Sequence, residues 1–376
     1  MKIRGNVRRR IGVVIIALGA VLKASLFLFP FPRFLARAAL EEAKILWRRT
    51  PIAAGVTDSS VPPNERAKLT LVLAARDFAG DSLGLPAGKL FTAYSRVDRD
   101  TLLLLLSAAR QDTLALHRWW FPIIGYAPYK GFFDFKSARD EEGSFQRRGY
   151  DTDLRPAAAF STLGWFDDPL LSTTLRQDSL SLVNTVVHEL THNRLFVKGQ
   201  VEFNESFASF VGSRGASAFF RARGDTTALQ RSERRWLDDQ ARVAYFGRLL
   251  ASLDSAYAAH PGDRMARVEA RDVVYRRYID QLVDSLTKLR GDSVARRVQL
   301  NLRLNNASLL ARRVYGRDLP VFDSVHAALG DLRATIDSIS NVATGSSDPF
   351  AALRSLLKRA RSKEHSPRTN TDKKTH

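Results

Sequence analysis

The sequence predicts an α+β protein, mainly α-helical, whose folded body follows an N-terminal membrane helix. Three observations carry that prediction. Residues 11–29 are apolar except for Lys23 and a few small residues, and they follow the basic residues Lys2, Arg4, Arg8, Arg9 and Arg10. Apolar residues recur at helical spacing over 179–197 and 203–211, and long helices are expected from about 227 to 341. Aromatic and β-branched residues between Trp119 and Phe135, broken by Pro122, Gly125, Pro128 and Gly131, mark short strands in a small β component over roughly 119–162.

Taken in order, the apolar run at 11–29 has the length of one membrane span of about 20 residues. Its charge placement puts the N-terminus in the cytoplasm and the body outside. Cleavage after Ala36-Arg37-Ala38, with secretion, is the alternative. A helix follows at Leu35, Ala39, Ala43 and Leu46, and another spans about 64–79, ending near Gly80. The Leu run at 102–106 fits a buried strand or a buried helix equally well. Residues 152–166 are expected to be partly extended, and Gly291 and Pro320 to break the late helices. The expected division is 1–34 signal anchor, 35–346 folded domain, and 347–376 a basic, disordered tail.

Composition limits the function classes. The chain has 376 residues, 45% of them hydrophobic and 10% aromatic, enough for a substantial core in one or two domains. It has no Cys, which excludes disulfides, thiolate metal ligands, a Cys nucleophile and a Cys-linked lipid anchor. The formal net charge of +19 is spread along the chain without a nucleic-acid-binding signature. Its basic runs flank the body, where an anionic membrane explains them as well, so nucleic acid is not an expected partner.

The decisive segment is His188-Glu189-Leu190-Thr191-His192, with Glu205 thirteen positions past the second His. Positions i and i+4 share a helix face, so both imidazoles can reach one zinc ion. Glu189 lies about a hundred degrees round the helix, placed to act as general base on a water without ligating the metal. Glu205 supplies a third ligand and leaves a fourth position open, as a catalytic zinc site requires. Asp178 or Ser179 caps this helix, and Lys198-Gly199 reads as its stop. A second helix begins near Phe203, with Phe203, Phe207, Phe210 and Val211 inward, and a short turn returns Glu205 to the imidazoles. The expected fold is therefore zincin-like, with one Zn2+ per chain.

The sequence also resembles a family, the bacterial predicted aminopeptidases, zinc metallopeptidases that are exported or lipid-anchored. The resemblance is carried by Trp119-Trp120-Phe121-Pro122-Ile123-Ile124-Gly125, Tyr129-Lys130-Gly131, Gly149-Tyr150-Asp151 and the segment from Ser161 through Trp165 to Leu170. The two metal-site segments match as well, and a weaker match runs from Asn306-Ala307 through Tyr315 to Pro320. It covers roughly 40–340 and implies a gluzincin-type peptidase with His188, His192 and Glu205 on zinc and Glu189 as base. The substrates it implies are peptides, trimmed from the amino end. Placement follows from the anchor: the inner membrane, with the catalytic domain on its outer side. The chain departs from the family at Tyr126, where Cys is common, and at Phe132 and Phe160, where Tyr is frequent.

Other readings stay open at this stage: an endopeptidase, a hydrolase of cell-wall amide links, or a membrane-tethered scaffold with a vestigial metal site. Tyr150 and Tyr129, with Tyr126, are candidates by residue type for substrate or oxyanion contact. Ser161 to Pro169 reads as a strand that pairs with substrate or as a packed turn, with Asp167 or Asp168 orienting an imidazole. His117, His260 and His326 have no ligand spacing, and Asn305-Asn306 reads as a helix cap.

Overall fold

The computed structural model describes residues 30–121, 125–157, 169–293, 296, 302 and 304–364. Helix α1 (Pro30–Trp47) comes first, then strand β1 (Thr50–Pro51), α2 (Ile52–Thr57) and α3 (Pro63–Asp81). Strands β2 (Ala93–Ser95), β3 (Leu103–Arg110), β4 (Trp119–Phe121), β5 (Gly125–Ala127) and β6 (Lys130–Phe132) follow, then α4 (Phe135–Arg147), β7 (Tyr150–Ala157) and β8 (Leu170–Leu171). The remainder is helical: α5 (Ser172–Leu175), α6 (Ser179–Arg194), α7 (Val201–Ala222), α8 (Thr226–Ala258), α9 (Arg264–Arg290), α10 (Asn306–Arg313), α11 (Leu319–Leu329), α12 (Leu332–Ala343) and α13 (Pro349–Glu364).

The fold is mainly helical with small sheets. No helix among the described residues is long and apolar enough to cross a membrane. The expected N-terminal membrane helix thus has no counterpart there, and the fold class is corrected accordingly. The inner-membrane placement rested on that helix and is withdrawn with it. The stretch at 11–29 lies outside the described residues. The first described helix, α1, carries charges along its length and is tied to the body. Arg99 donates to Glu41 at 2.9 Å, and Ile45 is buried with Leu102, Leu103, Phe133 and Leu171. It begins inside the segment assigned to the anchor.

The Leu run at 102–106 resolves as a strand. β3 is the centre of an antiparallel sheet ordered β6-β3-β7, with Leu106 opposite Leu154 and Arg110 opposite Tyr150. Leu103 and Leu106 are buried in clusters on opposite faces, so the run shows no alternation to read. β4 and β5 form a hairpin in which Trp120 faces Tyr126. β2 joins β1 antiparallel and β8 parallel in a second small sheet.

The main core lies among α3, α6, α7, α11, α12 and α13, around Phe203, Phe207, Phe210 and Phe322. α13 corrects the expected tail at 347–376 over its first part, and residues 365–376 lie outside the described residues. Phe350 and Leu353 are buried in that core while Arg354, Lys358, Arg359 and Arg361 face outward. Pro320 starts α11 rather than breaking a helix, since a first-turn Pro loses no helical hydrogen bond. An unforeseen break at 259–263, where Gly262 has φ +80°, separates α8 from α9.

A second, polar core ties the sheet to the late helices. Asp151 on β7 pairs with the buried Arg271 of α9 at 3.1 Å and accepts from the Asn306 backbone N–H at 2.9 Å. The Asn306 side chain donates to the Arg110 carbonyl at 2.9 Å and accepts from the Tyr275 hydroxyl at 2.8 Å.

Helix α7 approaches α6 more closely than bulky side chains permit, because Gly212 and Gly215 lie at the crossing. A Cβ at Gly215 would stand 2.7 Å from Val187 Cγ1, and one at Gly212 would stand 3.0 Å from the Asn184 carbonyl oxygen. Gly215→Ala is expected to destabilise the protein by about 1–3 kcal/mol through overpacking. Gly143→Ala, where the new methyl meets only the flexible end of Arg147, is expected to stabilise it by about 0.5 kcal/mol. Urea denaturation of both variants checks the pair.

Candidate metal centre

α6 forms where the sequence places it. Asp178 is the N-cap, its Oδ1 accepting from the backbone N–H groups of Leu180 and Ser181. Arg235 of α8 donates to Asp178 at 3.1 Å and to Ser181 at 2.8 Å, fixing that end of the helix. Leu182, Val183, Val186, Val187 and Leu190 are fully buried, which turns His188 and His192 toward α7. The helix ends at Arg194, earlier than the expected stop at Lys198-Gly199, because Leu195 turns extended to bury its side chain.

The connection to α7 is clamped by a side chain. Asn204 Oδ1 accepts from the Val197 N–H at 2.9 Å and its Nδ2 donates to the Val197 carbonyl at 2.9 Å. Gly199, at φ +77°, completes the reversal. Glu205, the residue after Asn204, then faces the two histidines. Ser206 accepts from the Arg317 N–H at 2.9 Å, which pins the α10–α11 turn against the same stretch.

Glu205 Oε2 lies 3.4 Å from His188 Nε2, and Glu205 Oε1 lies 3.7 Å from His192 Nε2. The three ligand atoms fall within 4.8 Å of one another. Donors bound at about 2.0–2.1 Å around a tetrahedral ion sit about 3.4 Å apart. The spacing therefore fits three ligands around a common point better than three direct hydrogen bonds. All three side chains are largely buried, at 15%, 23% and 16% exposure. Burial disfavours a charged His188, yet the adjacent Glu205 and Glu189 outweigh it and raise the imidazole's proton affinity. His192 is pushed down to about 4 by burial and by His188. Burial works to raise Glu205, but His188, His192 and Arg155 together lower it. A carboxylate held ionised between two imidazoles is a donor set suited to a divalent metal.

The family model described as "Putative aminopeptidase" matches residues 33–349. The chain belongs to this family. No curated protein and no solved structure gives a significant match.

The remaining predicted site residues divide. Tyr129 is brought to the cluster: burial and the charge of Glu205 push its phenol up to about 12. Tyr150 is not brought there. Its ring packs 5.3 Å from Phe145, five residues and about 16 Å along β7 from Arg155. Tyr126 is exposed on the hairpin. Residues 158–168, including Phe160, Trp165, Asp167 and Asp168, lie outside the described residues. His117 packs against Trp119 and Phe145, and His326 meets Thr335 at 3.2 Å. Asn305 forms a capping box with Ser308, while Asn306 belongs to the polar core described above. Tyr315 and Arg155 were not singled out from the sequence. Burial, Glu205 and Tyr129 raise the Tyr315 phenol strongly, and Arg155 lies over its ring at 5.5 Å. The weak family match through Tyr315 was the one signal for it; a lone Arg in a strand gives none.

Asn204→Leu removes both bonds to Val197 while keeping the branched shape of the side chain. It is expected to cost about 2 kcal/mol in urea denaturation. Asn193→Leu, which loses one exposed bond to the Pro86 carbonyl, is expected to cost about 0.5 kcal/mol.

Proposed function

We propose that this protein is a zinc-dependent peptidase that hydrolyses peptide bonds with an activated water, acting as an aminopeptidase. The observation that carries the reading is the convergence of His188, His192 and Glu205 from two helices, with Glu189 beside them on α6. Membership of the aminopeptidase family supports the peptide substrate.

In this reading His188, His192 and Glu205 hold one zinc ion. Zinc, when bound, acidifies water and polarises a carbonyl. Glu189 is half-buried one residue from His188. It takes the proton of the attacking water and returns it to the leaving nitrogen. Clamping of Glu205 by the Asn204–Val197 bonds and the Gly212 crossing fixes the geometry in advance, so little reorganisation accompanies reaction. Tyr129 and Tyr315 keep their phenols protonated, because burial and the nearby carboxylates oppose ionisation. Each is therefore a hydrogen-bond donor at neutral pH. An endopeptidase acting through the same residues remains the second reading, since nothing in the triad itself distinguishes an amino end from an internal bond.

The test uses the full chain, its Glu205→Ala variant and its Glu189→Gln variant. Elemental analysis is expected to find one zinc per chain in the parent and in Glu189→Gln, and none in Glu205→Ala. Mass spectrometry of a peptide mixture is expected to show residues removed singly from amino ends. Glu189→Gln should slow cleavage about a hundred- to ten-thousandfold. Internal cuts would move the assignment to an endopeptidase, and a parent without zinc would sink it.

A further inference from the structure

Arg155 takes no part in the proton transfers above, yet its placement is costly. It lies on β7, an edge strand of its sheet, with its guanidinium 5.5 Å from the Tyr315 ring. Its Nε is buried and has no hydrogen-bond partner among the described residues. Its only ion pair among the described residues is with Asp153, two positions earlier, at 3.8 Å, too long for a hydrogen bond. A buried donor of a charged group left unmade is rare in folded proteins without a functional reason.

The group is nonetheless reachable, with 35% of the side chain exposed. It borders the metal centre, because its charge acts on Glu205, Tyr129 and Tyr315 alike. Tyr315 cannot yield beneath it. The turn carrying it is held by Ser206, which accepts from Arg317 at 2.9 Å. It also contains Gly316, where a Cβ would strike Val243 at 2.7 Å, and it ends at Asp318 in the left-handed region at φ +56°. A non-glycine residue held there is strained backbone that the surroundings must enforce. A guanidinium with open donors above a fixed aromatic ring matches a planar anion with two acceptor oxygens. A neutral carbonyl would answer one donor and leave the charge uncompensated.

We propose that Arg155 is the specificity-determining residue of this site and holds a carboxylate of the peptide substrate, with the Tyr315 ring as the floor of its pocket. The assignment rests on the peptidase reading for its substrate class. The carboxylate comes from an acidic side chain or from the carboxyl end of a short peptide.

Two matched pairs of peptides separate these sources: glutamyl against glutaminyl in the middle of an amidated alanine tripeptide, and trialanine with a free against an amidated carboxyl end. kcat/KM is measured on the full chain, on Arg155→Gln and on Arg155→Lys. The parent is expected to favour the carboxylate in one pair by about ten- to a hundredfold, the range for hydrogen bonds to charged groups. The preference should appear in KM. Arg155→Gln should bring it within about twofold of unity and change the amide peptides less than about threefold, with Arg155→Lys in between, since a point charge replaces the fork. If Arg155→Gln melts well below the parent, Arg155→Lys decides.

A parent without preference in either pair overturns the proposal, as does an equal loss on all four peptides. Calorimetric binding of the same peptides to Glu189→Gln, with and without Arg155→Gln, separates this result from the fate of the hydrolytic reading. Arg155-dependent binding of the carboxylate peptide without cleavage by the parent keeps the pocket and drops hydrolysis. Cleavage without preference does the reverse. Binding of no peptide removes both.

Discussion

The close crossing of α6 and α7 sets the rest of the site. A helix pair that meets through bulky side chains keeps its axes about 8–10 Å apart. Here Gly212 and Gly215 remove the side chains at the crossing, and Val187 and the Asn184 carbonyl fill the space. The gain is reach: a glutamate on α7 can bring each carboxylate oxygen to a different imidazole on α6. The crossing lies seven residues past Glu205, about two turns, so Gly212 and Glu205 share a face. Phe203, Phe207 and Phe210 occupy the opposite side and anchor α7 in the main core. One helix thus serves the core with one stripe and the site with another.

The second constraint acts on the sheet. β7 contributes Asp151 at one end and Arg155 at the other, and their odd–even relation is the same, so both stand on one face of the strand. Asp151 is locked by Arg271 and Asn306. A fully satisfied buried network of this kind fixes register, since a slip of one residue would turn Asp151 into the wrong face. By fixing Asp151 it also fixes where Arg155 points, through a rigid strand rather than through contact. The α10 capping box at Asn305, whose Nδ2 donates to the Thr152 carbonyl at 3.0 Å, holds the same strand from the helix side. The turn bearing Tyr315 follows α10 directly, so the strand and the turn are positioned by one assembly.

These two constraints explain which parts of the molecule could be read from the sequence. His188, His192 and Glu205 were legible because their relation is local: a helical repeat, a short reversal and a second helix. Helix α3 was legible within two residues at each end, although it runs through Gly80 to Asp81. The end of α6 was misread because Gly199 does serve a left-handed turn, but the chain had already left the helix at Leu195. The 349–364 helix was hidden because its two core residues, Phe350 and Leu353, sit among Arg and Lys that dominate composition. Tyr315 and Arg155 come from elements about 160 positions apart, and only the tertiary fold joins them. The expected membrane helix rested on hydropathy at 11–29 and the basic residues before it, all outside the described residues, and the first described helix, with Arg37, Glu41, Glu42 and Lys44 along it, has the character of a surface helix.

The geometry around Glu205 supports the proposed cation site over a structural ion pair. An ion pair that stabilised the fold would draw one imidazole to hydrogen-bond distance and let the other turn to solvent. Glu205 instead divides its oxygens between two rings at 3.4 and 3.7 Å, and neither contact closes. The division keeps a carboxylate largely buried, which carries a desolvation cost that a partial contact repays poorly. A proton is a limited remedy: the carboxylates favour it on His188, while burial and His188 oppose it on His192. One proton satisfies one edge of the triangle, whereas a divalent ion at its centre satisfies all three. The burial, the spacing and the unequal imidazoles are all accounted for if the triad is built around a metal, and Arg155 then supplies the fixed positive charge that a second, substrate-borne carboxylate needs at its border.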